Sequence, residues 1–278
     1  MKLILSRKGF DSQSGGMPNP ILPDGTLLSL PIPSKHGETK YSDITYNGKS
    51  YYDIIKELNL NIAEDLDNRY GCRCHVDPDL INRYIESPVN WSPAFGQQGA
   101  SQKHLNERVS EGDIFLFYGW FRQTIEQNGK LRFVNKREDE TLDKHIIYGY
   151  MQIGKVITEQ KEIQERFPYH PRALEVYSQN NALYLPSDTL SLDTSKNGCG
   201  ILKNAGIRQL TKVGHKRSEW DLPECFEGVE ITYHKSKSYG WVGENDYFKA
   251  AYRGQEFVVE EDMSDDMKEW VKKVILSE

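Results

Sequence analysis

Cysteine is scarce in this chain, and its four copies lack the spacing of a zinc site. Among 278 residues they are Cys72, Cys74, Cys199 and Cys225. Cys72-x-Cys74-His75 is the one close group, and no second cysteine pair stands at the distance that a zinc finger requires. We therefore predict no metal ligands, no bound zinc, and free thiols in place of disulfides.

Long apolar runs are also absent. No stretch of 18 consecutive apolar residues occurs, so we expect neither a membrane-spanning helix nor a membrane partner. The apolar segment within residues 1–7 is too short for a secretory signal. Together with reduced thiols, these absences favour a cytoplasmic protein.

The motifs of several enzyme classes are missing. There is no Walker phosphate loop and no Gly-x-Gly-x-x-Gly dinucleotide loop. A nucleophile elbow, a metalloprotease helix, and the combined His-x-Glu and Cys-x-x-Cys pattern of zinc deaminases are missing as well. These absences argue against those classes, and they leave the reaction open and any cofactor unknown.

Aromatic and charged residues are plentiful. The chain has 16 Tyr, 10 Phe and 5 Trp, and 27% of its residues are charged, with a net charge of -6. An acidic chain is a poor non-specific binder of duplex DNA, because that binding depends on excess positive charge. A small nucleotide or a modified nucleobase is therefore the expected partner, and DNA or tRNA would need a local basic patch.

Hydrophobic patterns along the chain predict an α+β fold. Apolar residues at helical spacing mark residues 51–66, 79–86, 97–108 and 265–276. Predicted strands, with a hairpin signal at Asn128-Gly129, lie at residues 2–6, 113–121, 130–134, 146–156, 183–185, 200–202, 229–234 and 256–259. Strands and helices do not alternate regularly, so we predict one mostly antiparallel domain over residues 1–278, with helices and long ordered loops around the sheet.

A glycine-rich loop follows the first predicted strand. It contains Lys8, Gly9, Asp11, Gly15 and Gly16. Glycine permits positive φ and leaves backbone N–H groups unobstructed, so such a loop can cradle an anion. The alternative is a tight turn before an extended, proline-rich segment, and the sequence leaves both interpretations open.

Blocks of sequence across nearly the whole chain resemble one known family. The first reads Ser-Arg-Lys-Gly-Phe-Asp-Ser, and the full set covers residues 6–12, 15–16, 18–21, 77–80, 95–100, 104–105, 112–121, 210–211, 217–220 and 254–257. In this order they resemble the third nucleotide modification associated domain family. The resemblance implies a role with modified nucleotides in phage or bacterial systems, and it names no reaction.

A second, local pattern resembles the barrel of the PUA-like superfamily, which includes the EVE, ASCH and YTH readers of modified bases. A Gly-Asp turn at residues 112–113 precedes the aromatic strand, and the partner strand ends in Gly-x-Val at residues 154–156. The resemblance covers residues 109–157 and implies a small barrel that holds a base against aromatic faces. Trp120 and Phe121 are the candidate walls, with core packing as the alternative.

Two residues are candidates for acid and base chemistry. Asp11 lies inside the glycine-rich loop, where its carboxylate either contacts a ligand or caps the turn. His104 shares a polar helical stripe with Gln97. Glutamine can read a base edge, and histidine exchanges a proton near neutral pH, although a solvated surface would show the same stripe. We predict Asp11 and His104 as catalytic residues and Gln97 as a nucleotide contact.

Three further polar residues stand at alternating positions. His75, Asp77 and Asp79 would share one face of an extended segment and could bind a divalent ion. Asp-Pro-Asp before a helical pattern is also typical of a helix N-cap. We favour the cap.

The densest basic cluster lies at residues 212–218. Arg217 is its candidate for bidentate contact with a phosphate, and a solvated loop is the alternative. We expect the loop at residues 7–16, the stripe at residues 97–104 and Arg217 to converge on one cleft.

Two functions fit these patterns. The first is an enzyme that binds a nucleotide or nucleobase and acts on it in a phage or bacterial nucleic-acid modification system. The second is a non-catalytic reader of a modified base in DNA or RNA. Polar blocks outside the predicted barrel favour the enzyme, and the sequence leaves the oligomeric state open.

Overall fold

A computed structural model describes residues 1–135, 143–174, 180–234, 238–244, 246–252 and 254–277. No helix in these ranges is both long and apolar enough to cross a membrane. Six α-helices and a curled, mostly antiparallel sheet make up the core of the described fold. The predicted α+β class is therefore confirmed.

The helices are short, and the last one matches its prediction at both ends. They are α1 (Tyr51–Leu58), α2 (Leu60–Tyr70), α3 (Gly99–Asn106), α4 (Gln160–Arg166), α5 (Pro171–Leu174) and α6 (Asp265–Leu276). Ser264 caps α6, because its hydroxyl accepts a hydrogen bond from the Met267 N–H at 3.2 Å. Val271 and Val274 lie on the buried face, as the helical spacing predicted.

Two helix predictions are corrected by the structure. Residues 51–66 do not form one helix, because Asn59 is extended and its side chain caps the start of α2. Residues 79–86 form no helix at all. Both backbone hydrogen-bonding groups of Asp79 pair with Ala94, at 2.9 and 3.0 Å, so this segment joins a distant part of the chain.

Nine strands form the main sheet among the described residues. They are β1 (Leu3–Arg7), β2 (Asn19–Ile21), β7 (Phe95–Gln98), β8 (Ile114–Gln127), β9 (Lys130–Phe133), β10 (Lys144–Ile157), β11 (Asn181–Pro186), β14 (Cys199–Ile201) and β18 (Glu256–Val258). The continuous order is β18-β1-β8-β10-β11-β7, and only the pairings of β1 and β2 with β8 are parallel. The sheet curls into a half-barrel.

Smaller ladders surround this sheet. They are built from β3 (Ile32–Pro33), β4 (Thr45–Tyr46), β5 (Lys49–Ser50), β6 (Cys74–His75), β12 (Thr189–Leu190), β13 (Asp193–Asn197), β15 (Glu219–Trp220), β16 (Gly240–Val242) and β17 (Tyr247–Lys249). The predicted strand at residues 229–234 is absent. Only Ile231 bridges to Val259, and Tyr233 has a left-handed φ of 67°, which ends the extended path.

The main sheet is buried on both faces. On one face Leu5, Leu116 and Tyr118 pack with α6 in one hydrophobic cluster. On the other face Phe115 and Phe117 pack with residues of β7. Side chains alternate along a strand, so neighbours such as Trp120 and Phe121 are directed to opposite faces.

Candidate functional site

A cleft of about 1030 Å³ opens at the end of β1, on the face of the sheet that carries α6. Four cationic side chains and two carboxylates line it, with four aromatic side chains and two histidines among its other residues. The lining includes Arg7, Phe10, Asp11, Trp120, Asp143, His145, His215, Lys216, Arg217, Tyr239, Lys249 and Tyr252. The cleft is thus a locally basic surface on an acidic chain.

Arg217 lies over the ring of Trp120, with its guanidinium carbon 4.3 Å from the ring centroid. The segment that carries Arg217 is tied to β10, because the Thr211 hydroxyl donates to the Arg217 carbonyl at 2.8 Å and accepts from the His145 N–H at 2.7 Å. Partial burial lowers the pKa of Arg217 from its ordinary value. Arginine stays charged near neutral pH in spite of this lowering, so the guanidinium is a flat, cationic platform inside the cleft.

His145 lines the cleft as a neutral imidazole. Its Nδ1 accepts a hydrogen bond from Trp220 Nε1, which can only donate, at 3.0 Å. Burial, and then the charges of Arg217 and Arg7, hold the pKa of His145 well below its usual range. The ring proton is therefore on Nε2, so His145 presents a hydrogen-bond donor and no charge.

The carboxylates of the cleft are engaged elsewhere. Asp11 accepts backbone N–H bonds from Gln13 and Ser14, both at 2.8 Å, so it caps its own turn as the alternative interpretation predicted. Asp143 accepts two hydrogen bonds from Arg122, at 2.7 and 2.5 Å. In these contacts the two carboxylates accept from backbone N–H groups and from a guanidinium, and neither group exchanges a proton near neutral pH.

The glycines of the N-terminal loop serve its close packing. A Cβ on Gly15, where φ is +94°, would lie 2.3 Å from the Phe10 ring, and one on Gly9 would lie 2.6 Å from the Ser29 hydroxyl. The Gly16 N–H donates to the Asp11 carbonyl at 2.9 Å. The Gln13 and Ser14 N–H groups are also used inside the loop, so the structure shows the tight turn that was the alternative interpretation.

Two other predicted residues, Lys8 and Gln97, meet on the opposite face of the sheet. Both donate to the same carboxylate oxygen, Glu256 Oε1, at 2.5 Å from Lys8 Nζ and 2.6 Å from Gln97 Nε2. Neither residue lines the cleft. The expected single site is thus divided: Arg7, Asp11, Trp120 and Arg217 come together, while the residues 97–104 lie apart from them.

Phe121 and His104 also lie outside the cleft. Phe121 is 0% exposed and packs in the core beside Tyr148, so the core alternative describes it. His104 is half-buried, with Nε2 3.2 Å from the Thr232 hydroxyl and its ring 4.9 Å from that of Tyr233. Burial, and then Arg108, lower the pKa of His104.

Replacing His104 with alanine is therefore expected to affect stability more than binding. Loss of the Thr232 hydrogen bond and the Tyr233 ring contact should lower the free energy of unfolding by about 1 kcal/mol. Nucleotide affinity should stay within twofold, about the error of a titration, because His104 does not line the cleft. Urea unfolding and a calorimetric titration measure both, with exposed Lys103→Ala as the control. Intact stability with a tenfold loss of affinity would return His104 to the binding site.

The alternating acidic residues have separate surroundings. His75 Nε2 is 3.3 Å from Asp77 Oδ2, whereas Asp79 accepts from Tyr84 and Trp91. Burial alone would raise the pKa of Asp77, but the neighbouring His75, a second histidine and an arginine hold it below its usual value. No helix follows, so the N-cap prediction is wrong. No group of three or more His, Cys, Asp or Glu side chains suited to a metal ion occurs in the described ranges.

The buried histidines predict acid sensitivity. Burial lowers the pKa of His170 and of His234 to about 4, and it lowers that of His145 as well. Below a pH of about 6.5 the unfolded chain therefore binds more protons than the folded one, and the free energy of unfolding should fall by about 1.4 kcal/mol per pH unit per histidine. Asp79, whose pKa burial raises to about 6, acts in the opposite sense, but it is one group against three. Urea midpoints between pH 4 and 7 measure this.

A histidine variant provides the control for that profile. His170→Gln should make the fall between pH 6.5 and 4 shallower, while a substitution of the exposed His36 should leave the slope unchanged. Stability that stays level across this range in the wild-type protein would contradict the assignment of neutral buried histidines.

The four cysteine thiols are the remaining candidates for reactive groups. All four cysteines are free, as expected. Burial raises the pKa of Cys72 and of Cys199 to about 11, so neither is a thiolate near neutral pH. No cysteine lines the cleft.

Sequence reasoning missed residues on both faces of the sheet. Glu256 stood within a resembling block, and an acidic residue inside an otherwise apolar strand was the available signal. Lys249 enters the cleft from β17, and no motif marked it. Trp220, which donates to His145 Nδ1, lies 75 positions further along the chain. No local sequence pattern could therefore indicate which ring nitrogen of His145 carries the proton.

In a comparison with protein-family models, residues 2–260 match nucleotide modification associated domain 3. Comparisons with curated proteins and with solved structures give no match. Because the family match spans most of the 278 residues, it confirms the resemblance of the sequence blocks. The chain is a member of the nucleotide modification associated domain 3 family.

Proposed function

We propose that this protein binds a nucleotide, free or within a strand, in the Arg217 cleft and works in a nucleotide modification system. The observation that carries the proposal is the stack of Arg217 on Trp120, beside the Nε2–H of His145, in a cleft with a cationic excess. Family membership supports the class of ligand.

The base would stack on the exposed side of the Arg217 guanidinium and extend the pair that Arg217 forms with Trp120. Arginine planes are common stacking partners of unpaired bases, and such a contact contributes about 1–3 kcal/mol. His145 then offers Nε2–H to an acceptor on the base edge, a carbonyl oxygen or a ring nitrogen. Because His145 stays neutral, this contact would not depend on pH near neutrality.

The phosphate would contact the cationic rim of the cleft. Arg7, Lys216 and Lys249 line it together with Arg217, and charge-assisted hydrogen bonds from such groups contribute about 1.5–3 kcal/mol each. The volume of about 1030 Å³ is that of a large ligand pocket and can accommodate a nucleotide.

A calorimetric titration with two ligands tests the proposal. A nucleoside monophosphate should bind about tenfold or more tightly than the matching nucleoside, because only the former carries the phosphate. Its affinity should fall as salt rises from 50 to 200 mM, while that of the nucleoside should not. Equal affinities for the two ligands, or no binding of either below 1 mM, would contradict the proposal.

The second candidate is a reader that holds a modified base and performs no reaction. It is favoured by the curl of the sheet at β8 and β10, which the proposed PUA-like barrel over residues 109–157 would use. Residues 136–142 of that range lie outside the described residues. A single strand with a modified base should then bind at least tenfold more tightly than its monophosphate, and mass spectrometry should find the strand unchanged. A mass change that needs the protein would instead identify an enzyme.

The setting that we propose is the cytoplasm of a phage-infected or bacterial cell, because the thiols are free. DNA or tRNA would reach the cleft through its basic rim. We also propose that residues 1–278 act as one domain, since the main sheet joins the first strand β1 to the late strand β18.

A further inference from the structure

The Arg217 cleft has more positive charge than one monophosphate needs. Its four cationic side chains are those of Arg7, Lys216, Arg217 and Lys249. None of the four forms an ion pair with another described residue, and the two carboxylates of the cleft are engaged in other contacts. A monophosphate carries about two negative charges at neutral pH, which two cations balance. The surplus indicates a ligand with at least two phosphate groups.

An exposed aromatic ring lies in the same cleft. Tyr252 is 60% exposed, and its hydroxyl accepts a hydrogen bond from Gln13 Nε2 at 3.2 Å, which tethers the ring. Single exposed apolar side chains are ordinary on protein surfaces. An aromatic ring tethered within a cationic cleft is different, because proteins that bind single strands combine such rings with positive charge and stack the bases on them. A free nucleoside diphosphate has no second base for this ring.

One turn of the N-terminal loop connects Tyr252 with Arg217. Gln13 contacts Tyr252, and Asp11 lies two residues earlier in the same turn. Burial lowers the pKa of Arg217, while the nearby charges of Asp143 and Asp11 oppose this lowering. The Cα atoms of residues 11 and 13 are at most about 7 Å apart. Arg217 and Tyr252 therefore border one short turn, close enough to receive two neighbouring bases of a strand.

We propose that the Arg217 cleft binds a single strand of DNA or RNA, with one base stacked on Arg217 and the neighbouring base on Tyr252. The strand phosphates would contact Arg7, Lys216 and Lys249. Duplexes are not expected to bind, because only unpaired bases offer their faces for stacking. This inference rests on the proposed function, since it names the ligand class of the same cleft, and it applies to an enzyme and to a reader alike.

A dinucleotide with a 5′ phosphate and its two abasic analogues test the strand in a calorimetric titration. Each analogue lacks one of the two bases but keeps both phosphates, so the three ligands differ only in stacking. Each analogue should bind about tenfold more weakly than the intact dinucleotide. An analogue that binds as tightly as the intact dinucleotide would overturn the proposal, and so would a nucleoside diphosphate that binds more tightly than the dinucleotide.

Tyr252→Ala shows which base lies on the tyrosine ring. The ring is exposed, so the melting temperature should stay close to that of the wild type. The intact dinucleotide should bind the variant about tenfold more weakly, while one abasic analogue should bind variant and wild type equally. Tyr70→Ala, at the end of α2 and outside the cleft, is the matched control and should leave all three affinities unchanged. A Tyr252→Ala protein that binds the intact dinucleotide like the wild type would contradict the second platform.

The salt dependence of a longer strand shows how many phosphates the cleft contacts. Two to four contacts should lower the affinity of an eight-nucleotide strand by about 7- to 50-fold as salt rises from 50 to 200 mM. A smaller fall would mean fewer than two contacts and would overturn the strand path. Oligothymidylate and oligouridylate of this length, compared at one salt concentration, distinguish DNA from RNA as the tighter ligand.

These results separate the inference from the proposed function. Monophosphate binding that Arg217→Ala weakens, together with equal affinities for the intact and abasic dinucleotides, would overturn the strand and keep the nucleotide cleft. Absence of binding below 1 mM for the monophosphate and for every dinucleotide would overturn both.

Discussion

Replacing Arg217 with alanine is expected to weaken the binding of a nucleoside monophosphate by about 10- to 100-fold. The variant loses both the guanidinium platform over Trp120 and a charge-assisted contact with the phosphate, and one such contact contributes about 1.5–3 kcal/mol. Stability should change much less, since Arg217 is only partly buried and its backbone, not its side chain, ties the segment to Thr211. Calorimetric titration and a melting curve measure the two effects.

Arg166→Ala is the matched control for that experiment. Arg166 also lies over an aromatic ring, with its guanidinium carbon 5.3 Å from the centroid of Phe167, but it is outside the cleft. Its replacement should leave nucleotide affinity unchanged. An Arg217→Ala protein that binds the monophosphate as tightly as the wild type would contradict the assignment of the cleft.

The largest effect on stability is expected for Asn19→Ala. The Asn19 side chain is 0% exposed; its Nδ2 donates to the carbonyls of Phe10 and Trp120 at 3.1 and 2.8 Å, and its Oδ1 accepts from the Leu30 N–H at 2.7 Å. Alanine leaves these buried backbone groups without partners, so the free energy of unfolding should fall by about 3–5 kcal/mol. Urea unfolding monitored by circular dichroism measures it.

Asn61, on the exposed side of α2, offers the control. Asn61→Ala should change the free energy of unfolding by less than about 0.5 kcal/mol. If Asn19→Ala were equally mild, the N-terminal loop would not depend on Asn19 for its place against β8.

The sequence predicted those elements that depend on neighbours in the chain. The buried stripe of α6 lies within its own 12 residues, and its serine cap directly precedes them. Asn128-Gly129 likewise connects β8 to β9 through a local turn. The segment 79–86 shows the opposite case. Its helical spacing was overridden by backbone pairing between Asp79 and Ala94, and no local pattern contains that contact.

The candidate site was predictable to the same extent. Arg217, Trp120 and the N-terminal loop were recognisable as polar or aromatic groups in resembling blocks, and the structure brings them together. Strand alternation already implied that Trp120 and Phe121 could not both wall one cleft. The pairing of Lys8 with Glu256 was beyond the sequence, since it depends on how β1 and β18 register.

The central claim is that a nucleotide binds against Trp120 and Arg217, and the indole N–H resonances of the protein test it most directly. The chain has five tryptophans, and Trp120→Phe assigns the resonance of the one in the cleft. Titration with a nucleoside monophosphate should shift the Trp120 signal and leave that of Trp270, which packs on Phe226 at 5.2 Å, in place. A saturating titration that leaves the Trp120 signal unmoved would contradict the account.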